Sequence, residues 1–103
     1  MSTLSVTKTK DNETLTAKVT GRIDTTTSPQ FDSEFKGELS GIKKLILDFT
    51  EVEYISSSGL RVLLSLHKTM TASDGQLIIC KPTEMVLEVF DVTGFADLLN
   101  IEK

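Results

Sequence analysis

At 103 residues and 11.3 kDa, the chain has room for one domain over residues 1–103 and hardly for two, and its 39% hydrophobic and 25% charged residues exclude a disordered tail or a fibrous repeat. A domain of this size buries roughly two-thirds of its unfolded surface, which favours a shallow crease over a deep substrate cavity and a binding protein over a self-contained enzyme. With 11 basic and 15 acidic residues, a net charge of -4 and no block of Lys and Arg, nucleic acid is excluded as a partner.

The first elements read as an antiparallel hairpin. Leu4-Ser-Val-Thr-Lys-Thr alternates apolar and polar residues, and Leu15, Ala17 and Val19 alternate again with Thr14, Thr16, Lys18 and Thr20. One face of that hairpin is expected to meet solvent, and Gly21 to end the second strand. Ser28-Pro29 then predicts a helix start, with Ser28 as cap and Pro29 at the first position, where its missing N–H costs nothing. Phe31, Phe35 and Leu39 form one apolar stripe, Asp32 and Glu34 fall near the positive end, and Gly41 suits a cap, so the helix is predicted over about residues 29–40.

Lys44-Leu-Ile-Leu-Asp-Phe49 is a nearly continuous apolar run, expected to form a central strand covered on both faces, with Leu77-Ile-Ile-Cys80 as its parallel neighbour. Between them Leu60, Leu63, Leu64 and His67 recur at helical spacing, with Arg61, Ser65 and Lys68 outside and Ser73-Asp74-Gly75 ending the segment. Strand, helix, strand implies a right-handed crossover. Thr83 caps a third predicted helix whose Met85, Val86, Val89 and Phe90 turn inward, Gly94 lies beyond its end, and Leu98, Leu99 and Ile101 pack as a last short element. The expected fold class is therefore α/β, a single layered domain with a mixed β-sheet, an N-terminal hairpin and packed helices. Its chemistry is expected at the carboxyl ends of the parallel strands, where Asp48 to Gly59 and the Gly21 to Ser28 loop gather.

Tyr54-Ile-Ser-Ser-Ser-Gly-Leu60 puts three hydroxyls at a helix entrance. They serve as caps, or as a place where an added phosphate meets free N–H groups and the positive end of the helix dipole. Asp24, Asp48, Glu51 and Glu53 are expected near that entrance, Glu51 and Glu53 as a solvated rim. Asp48 either holds the following loop or acts on the serines, and Asp24 is open to a functional role because its loop makes no strong structural demand for it.

Catalytic constellations are missing. His67, the only histidine, lies about three helical turns from Ser57, too far to serve it as a base, which excludes a Ser-His-Asp hydrolase. One histidine and one cysteine make no metal site, and no phosphate-cradling glycine motif is present, so neither metal nor cofactor is expected. Cys80 reads as buried packing and forms no intrachain disulfide. Met1-Ser-Thr-Leu lacks the features of a secretory signal and no apolar run approaches a membrane span, so a cytoplasmic location without direct membrane insertion is expected.

Gly-Arg-Ile-Asp24 followed by Thr25-Thr-Thr-Ser-Pro29, the stretch from Leu45 through Glu51-Val-Glu-Tyr-Ile-Ser-Ser-Ser-Gly-Leu60 to Leu64, and Val86-Leu-Glu-Val-Phe-Asp-Val-Thr-Gly94-Phe closely resemble the STAS domain of bacterial anti-sigma-factor antagonists. The resemblance spans nearly the whole chain. It implies a non-enzymatic module that binds an anti-sigma factor with kinase activity and frees a sigma factor, until phosphate on one serine weakens the grip and a serine phosphatase restores it. Carried onto this chain, the phosphoacceptor is Ser57, with Ser56 and Ser58 as neighbouring hydroxyls, and the partner surface includes Asp24, Thr25, Ser56, Ser58, Gly59 and Arg61. Where the family often has Asp before the acceptor, this chain has Ser56. That departure motivates an alternative, a constitutive STAS scaffold or transporter-associated module without phosphorylation. A third reading, a receiver domain phosphorylated on Asp48, lacks the acidic pair such a domain carries after its first strand and is out of keeping with the N-terminal hairpin.

Overall fold

The computed structural model describes residues 3–103. In chain order its elements are β1 (Leu4–Asp11), β2 (Thr14–Ile23), α1 (Ser28–Ser33), β3 (Lys44–Ile55), α2 (Ser57–Ala72), β4 (Gln76–Cys80), α3 (Glu84–Thr93), α4 (Phe95–Leu98) and β5 (Asn100–Glu102). One five-stranded sheet runs in the order β1-β2-β3-β4-β5, with β1 antiparallel to β2 and every other pair parallel. The expected mixed sheet and hairpin are both present. Asp11 pairs with Thr14 across a turn in which Asn12 takes a left-handed conformation (φ 57°), one that asparagine tolerates.

Each parallel crossover steps the same way across the sheet, and right-handed connections then put every helix on one face. The burial pattern agrees. Ala17, Leu47 and Ile79 stand in register and are fully buried, as are Leu45 and Leu77 beside Leu15, whereas Thr16, Lys18 and Asp48 of the opposite face reach solvent. The central strand is thus covered on one side only, contrary to the reading of its apolar run; Ile46 fills part of the open face, in register with Ile78.

β3 also runs six residues beyond Phe49, because its acidic continuation keeps pairing with β2 through two irregularities in register. Lys18 pairs with Asp48 but Thr20 with Glu51, so β3 carries an extra residue there. Asp48 Oδ1 accepts from the Thr50 N–H (3.0 Å) and hydroxyl (2.6 Å) at that irregularity. Of its two expected roles, Asp48 therefore has the structural one. β2 likewise passes Gly21, whose φ of 110° suits the close approach of Thr3 O, and ends at Ile23.

α1 is shorter than its apolar stripe suggested. It stops at Ser33, and turns carry Phe35 and Ile42 into the core. Thr27, not Ser28, holds the N-cap position and makes no side-chain cap bond, while Ser28 Oγ donates to Asp24 O (2.6 Å). Asp32 and Glu34 fall at the far end of so short a helix, and Glu34 instead meets Lys8 of β1 at 3.2 Å. α2 buries Leu60, Leu63, Leu66 and Met70, leaving Leu64 and His67 half-buried on its flank. In α3, Thr83 caps as expected, its hydroxyl accepting from Val86 N (3.4 Å) and donating to Val52 O (3.0 Å), and Gly94 closes the helix at φ 82°. Val86 and Phe90 are buried, but Met85 is turned outward. The expected last element is α4 followed by β5, which pairs with β4 and places Ile101 beside Ile79.

Leu47→Ala removes a side chain held between Ala17 and Ile79 in the middle of the covered face. Urea unfolding is expected to show a loss of about 2–5 kcal/mol, with the cooperative transition retained.

Candidate functional site

β2 ends at Ile23, β3 at Ile55 and β4 at Cys80, all on the carboxyl edge of the parallel strands. Ser56 turns the chain from β3 into α2. Its backbone is extended (φ -95°, ψ 175°), its N–H donates to Ile23 O (2.8 Å), its carbonyl accepts from Leu60 N (3.0 Å), and its Oγ accepts from Gly59 N (3.3 Å). Ser56 is therefore the helix cap. Ser57, the first helical residue, is exposed, while Ser58 is half-buried and Gly59 buried. A Cβ on Gly59 would lie 2.7 Å from Ile23 Cγ2 and 2.8 Å from Ile55 Cγ1, so glycine is what lets α2 seat against the two strand ends. Arg61 is exposed one turn along, on the same helical face as Ser57.

The loop after β2 shares this edge through the bond from Ser56 to Ile23. Asp24 is tied into it more firmly than expected. Its Oδ1 accepts from the N–H groups of Thr26 and Thr27, each at 3.0 Å, and its own N–H donates to Thr27 Oγ1 (2.9 Å). Thr27 Oγ1 in turn donates to Arg22 O (2.7 Å). Asp24 thus organises the turn that the sequence reading left without structural demand, and Thr25 stands exposed within it. Just before the loop, Arg22 stacks over the Tyr54 ring, 4.5 Å from its centre, with Nε 4.0 Å from Asp24 Oδ2. This pair was not found from the sequence, because it exists only once β2 and β3 are in register with Arg22 opposite Tyr54.

The STAS domain family model matches residues 5–103. The chain belongs to the STAS domain family. This STAS domain is 29% identical over 99 residues to the putative anti-sigma factor antagonist BtrV of Bordetella bronchiseptica, covering 95% of the chain and 85% of that relative. It is 28% identical over 98 residues to an anti-sigma-B factor antagonist of Listeria monocytogenes, covering 92% and 84%. Among solved structures, the anti-sigma factor antagonist SpoIIAA in its unphosphorylated form has the same fold, with a TM-score of 0.83 at 19% identity and coverage of 96% and 89%. The phosphorylated form of SpoIIAA from Bacillus gives 0.74 at 18% identity, covering 96% and 92%.

Other chemical groups of the STAS domain have surroundings of their own. Glu51 pairs with Lys18 at 3.3 Å on the open face of the sheet, and Glu53 is exposed. Cys80 is half-buried rather than buried; its thiol lies 3.8 Å from Glu102 Oε1, and desolvation together with the nearby Glu102 charge pushes its pKa up, away from the reactive thiolate. His67 Nδ1 is buried without a hydrogen-bond partner on the flank of α2. Among the described residues, no group of three or more His, Cys, Asp or Glu side chains gathers as for a metal ion, and no helix is long and apolar enough to cross a membrane.

The hydrogen bond from the Thr50 hydroxyl leads the forces that hold the Asp48 carboxyl below its ordinary value of 3.8; burial opposes it, and the Thr50 N–H and the charges of Lys18 and Lys81 reinforce it. A depressed folded-state pKa contributes stability above the unfolded value and loses it as pH falls through the folded value. The stability difference between wild type and Asp48→Asn, followed by urea unfolding from neutral pH into acid, is expected to shrink below the ordinary value of 3.8.

Gly59→Ala forces the new methyl group against Ile23 and Ile55. A loss of about 1–3 kcal/mol is expected, with amide shifts in NMR spectra concentrated at residues 23–28 and 55–60.

Proposed function

We propose that this STAS domain is an anti-sigma factor antagonist whose grip on its partner is switched at Ser57. In the unphosphorylated state it binds an anti-sigma factor of the serine-kinase type and so frees a sigma factor. The kinase transfers the γ-phosphoryl group of ATP to Ser57 Oγ, which loses its proton, and a serine phosphatase later hydrolyses the ester. The partner covers the edge where Asp24, Thr25, Ser56, Ser58 and Arg61 gather, with Gly59 buried beneath it, where it seats α2 rather than serving as the contact residue expected, and the exchange takes place in the cytoplasm. The domain acts by binding and not by catalysis.

The observation that carries this reading is the division among the three hydroxyls. Ser57 is exposed, Ser56 is engaged as the cap, and Ser58 is half-buried. Two further facts support it: relatives matched over most of their length are named as anti-sigma factor antagonists, and SpoIIAA is solved both with and without phosphate. A phosphate on Ser57 adds a charge of about -1.5 to -2 beside the N–H groups and positive dipole end of α2, with Arg61 one turn away. The folded domain tolerates that charge, while a partner pressed against the edge has to desolvate it. About 3 kcal/mol of such penalty suffices for a hundredfold change in affinity.

Serine in place of the family's frequent Asp at position 56 gives a second reading, a constitutive scaffold or transporter-associated module that uses the same edge unmodified. Calorimetric titration with a kinase-type anti-sigma factor and mass spectrometry of protein from growing and stressed cells separate the two. Ser57→Asp is expected to weaken binding about a hundredfold without lowering the melting temperature, and Ser57→Ala to bind normally and take no phosphate. Equal affinity of wild type and Ser57→Asp refutes the switch. Phosphate found on Ser56 or Ser58 moves the acceptor, and its absence under all conditions leaves the scaffold.

A further inference from the structure

Among the described residues, the large hydrophobic side chains left exposed are Met85 (49%), Val92 (81%) and Leu98 (46%), all within α3 and α4. Met85, Val89 and Val92 recur at steps of four and three along α3 and line one open groove of about 420 Å³ together with Glu88 and Thr93. Leu98 lies in a different groove, against α2. The charged residues carried by α3 and α4 themselves all have one sign, the lysines next in sequence being Lys81 before α3 and Lys103 after β5. Glu84, Glu88 and Asp91 of α3 and Asp97 of α4 are exposed, and from Pro82 to Glu102 the chain contains no Lys, Arg or His. On the helical wheel Glu84, Glu88 and Asp91 border one side of the Met85-Val89-Val92 stripe.

We propose that the outer face of α3 is a second docking surface, separate from the Ser57 edge, that takes a basic amphipathic segment of a partner protein. The segment lays apolar side chains along Met85, Val89 and Val92 and sets Lys or Arg against Glu84, Glu88 and Asp91. Charge decides between the candidate occupants. A second copy of this chain brings the same carboxylates onto the same face and is repelled, and an anionic lipid surface is repelled likewise. A basic helix satisfies both the apolar stripe and its acidic border, in the manner of helix-in-groove recognition. The inference is independent of the proposed phosphorylation, because it involves neither Ser57 nor the loop after β2.

The test uses the full chain labelled with 15N and a synthetic Leu/Lys peptide with leucines at i, i+3, i+4 and i+7, beside a control peptide with Glu in place of Lys. Saturable shifts centred on Glu84–Thr93 are expected for the basic peptide, weakening with added salt and absent for the acidic one. Val92→Asp is expected to weaken binding about tenfold. Glu88→Lys, a second exposed change, weakens it as well, and circular dichroism of both variants matches wild type. Ser57→Asp leaves peptide binding unchanged, so failure here is distinct from failure of the antagonist reading. No saturable binding, shifts centred elsewhere, equal binding of the acidic peptide, or indifference to Val92→Asp overturns the proposal. Self-association in sedimentation equilibrium that Val92→Asp abolishes also overturns it, by assigning the face to a second copy.

Discussion

The parallel pairing of β2 with β3 is the constraint on which the rest of the molecule depends. It puts Leu15 beside Leu45 and Ala17 beside Leu47, and a slip by one residue would send the whole apolar set of β2 to the open face. It also delivers the end of β2 to the point where α2 begins, so that Ile23 O can accept from Ser56 N and the Ile23 side chain can pack on Gly59. β3 reaches that point only by accommodating extra residues between Asp48 and Tyr54. The Asp48 carboxylate stabilises the first of these irregularities by bonding Thr50, which explains an acidic residue in the middle of an apolar strand.

Much of this was legible in the sequence because the signals are local. Period-two alternation gave the hairpin, Thr83 and Gly94 bracketed α3, and the stretch from Leu45 to Leu64 carried the family resemblance. The misreadings have a common cause, in that tertiary pairing overrode a local pattern. Phe31 and Phe35 have helical spacing and do meet edge to face, with ring centres 5.4 Å apart, yet the helix between them ends at Ser33 and turns bring Phe35 inward. Glu51, Val52 and Glu53 have no strand signature of their own and are strand only because β2 lies alongside. Met85 lies one residue from buried Val86, and composition alone does not say which of the two turns inward.

The candidate site was legible as a place and less so as a set of roles. Apart from the family resemblance, the three serines are equivalent in sequence, and the extended backbone of Ser56 with its bond from Gly59 N distinguishes the cap from its neighbours. Asp24 looked available for a partner because an Asx turn leaves no periodic trace, whereas its carboxylate in fact holds two backbone N–H groups. Asp24 keeps Thr25 and the loop in shape, with its other carboxylate oxygen near Arg22.

The departure at position 56 acquires a physical meaning from this arrangement. A carboxylate and a hydroxyl can both cap a helix by accepting from the same N–H, so Ser56 preserves the geometry that Asp would provide while removing a negative charge next to Ser57. The first turn of α2 carries no acidic residue of its own, which leaves its positive dipole end uncompensated. A phosphate on Ser57, as proposed, would be the first anion in that turn, giving the helix a favourable interaction while setting a new charge before the proposed partner. Under the proposed switch, the opposition between the two effects confines the consequence of modification to the surface: the energy that ejects a partner need not come from unfolding the domain.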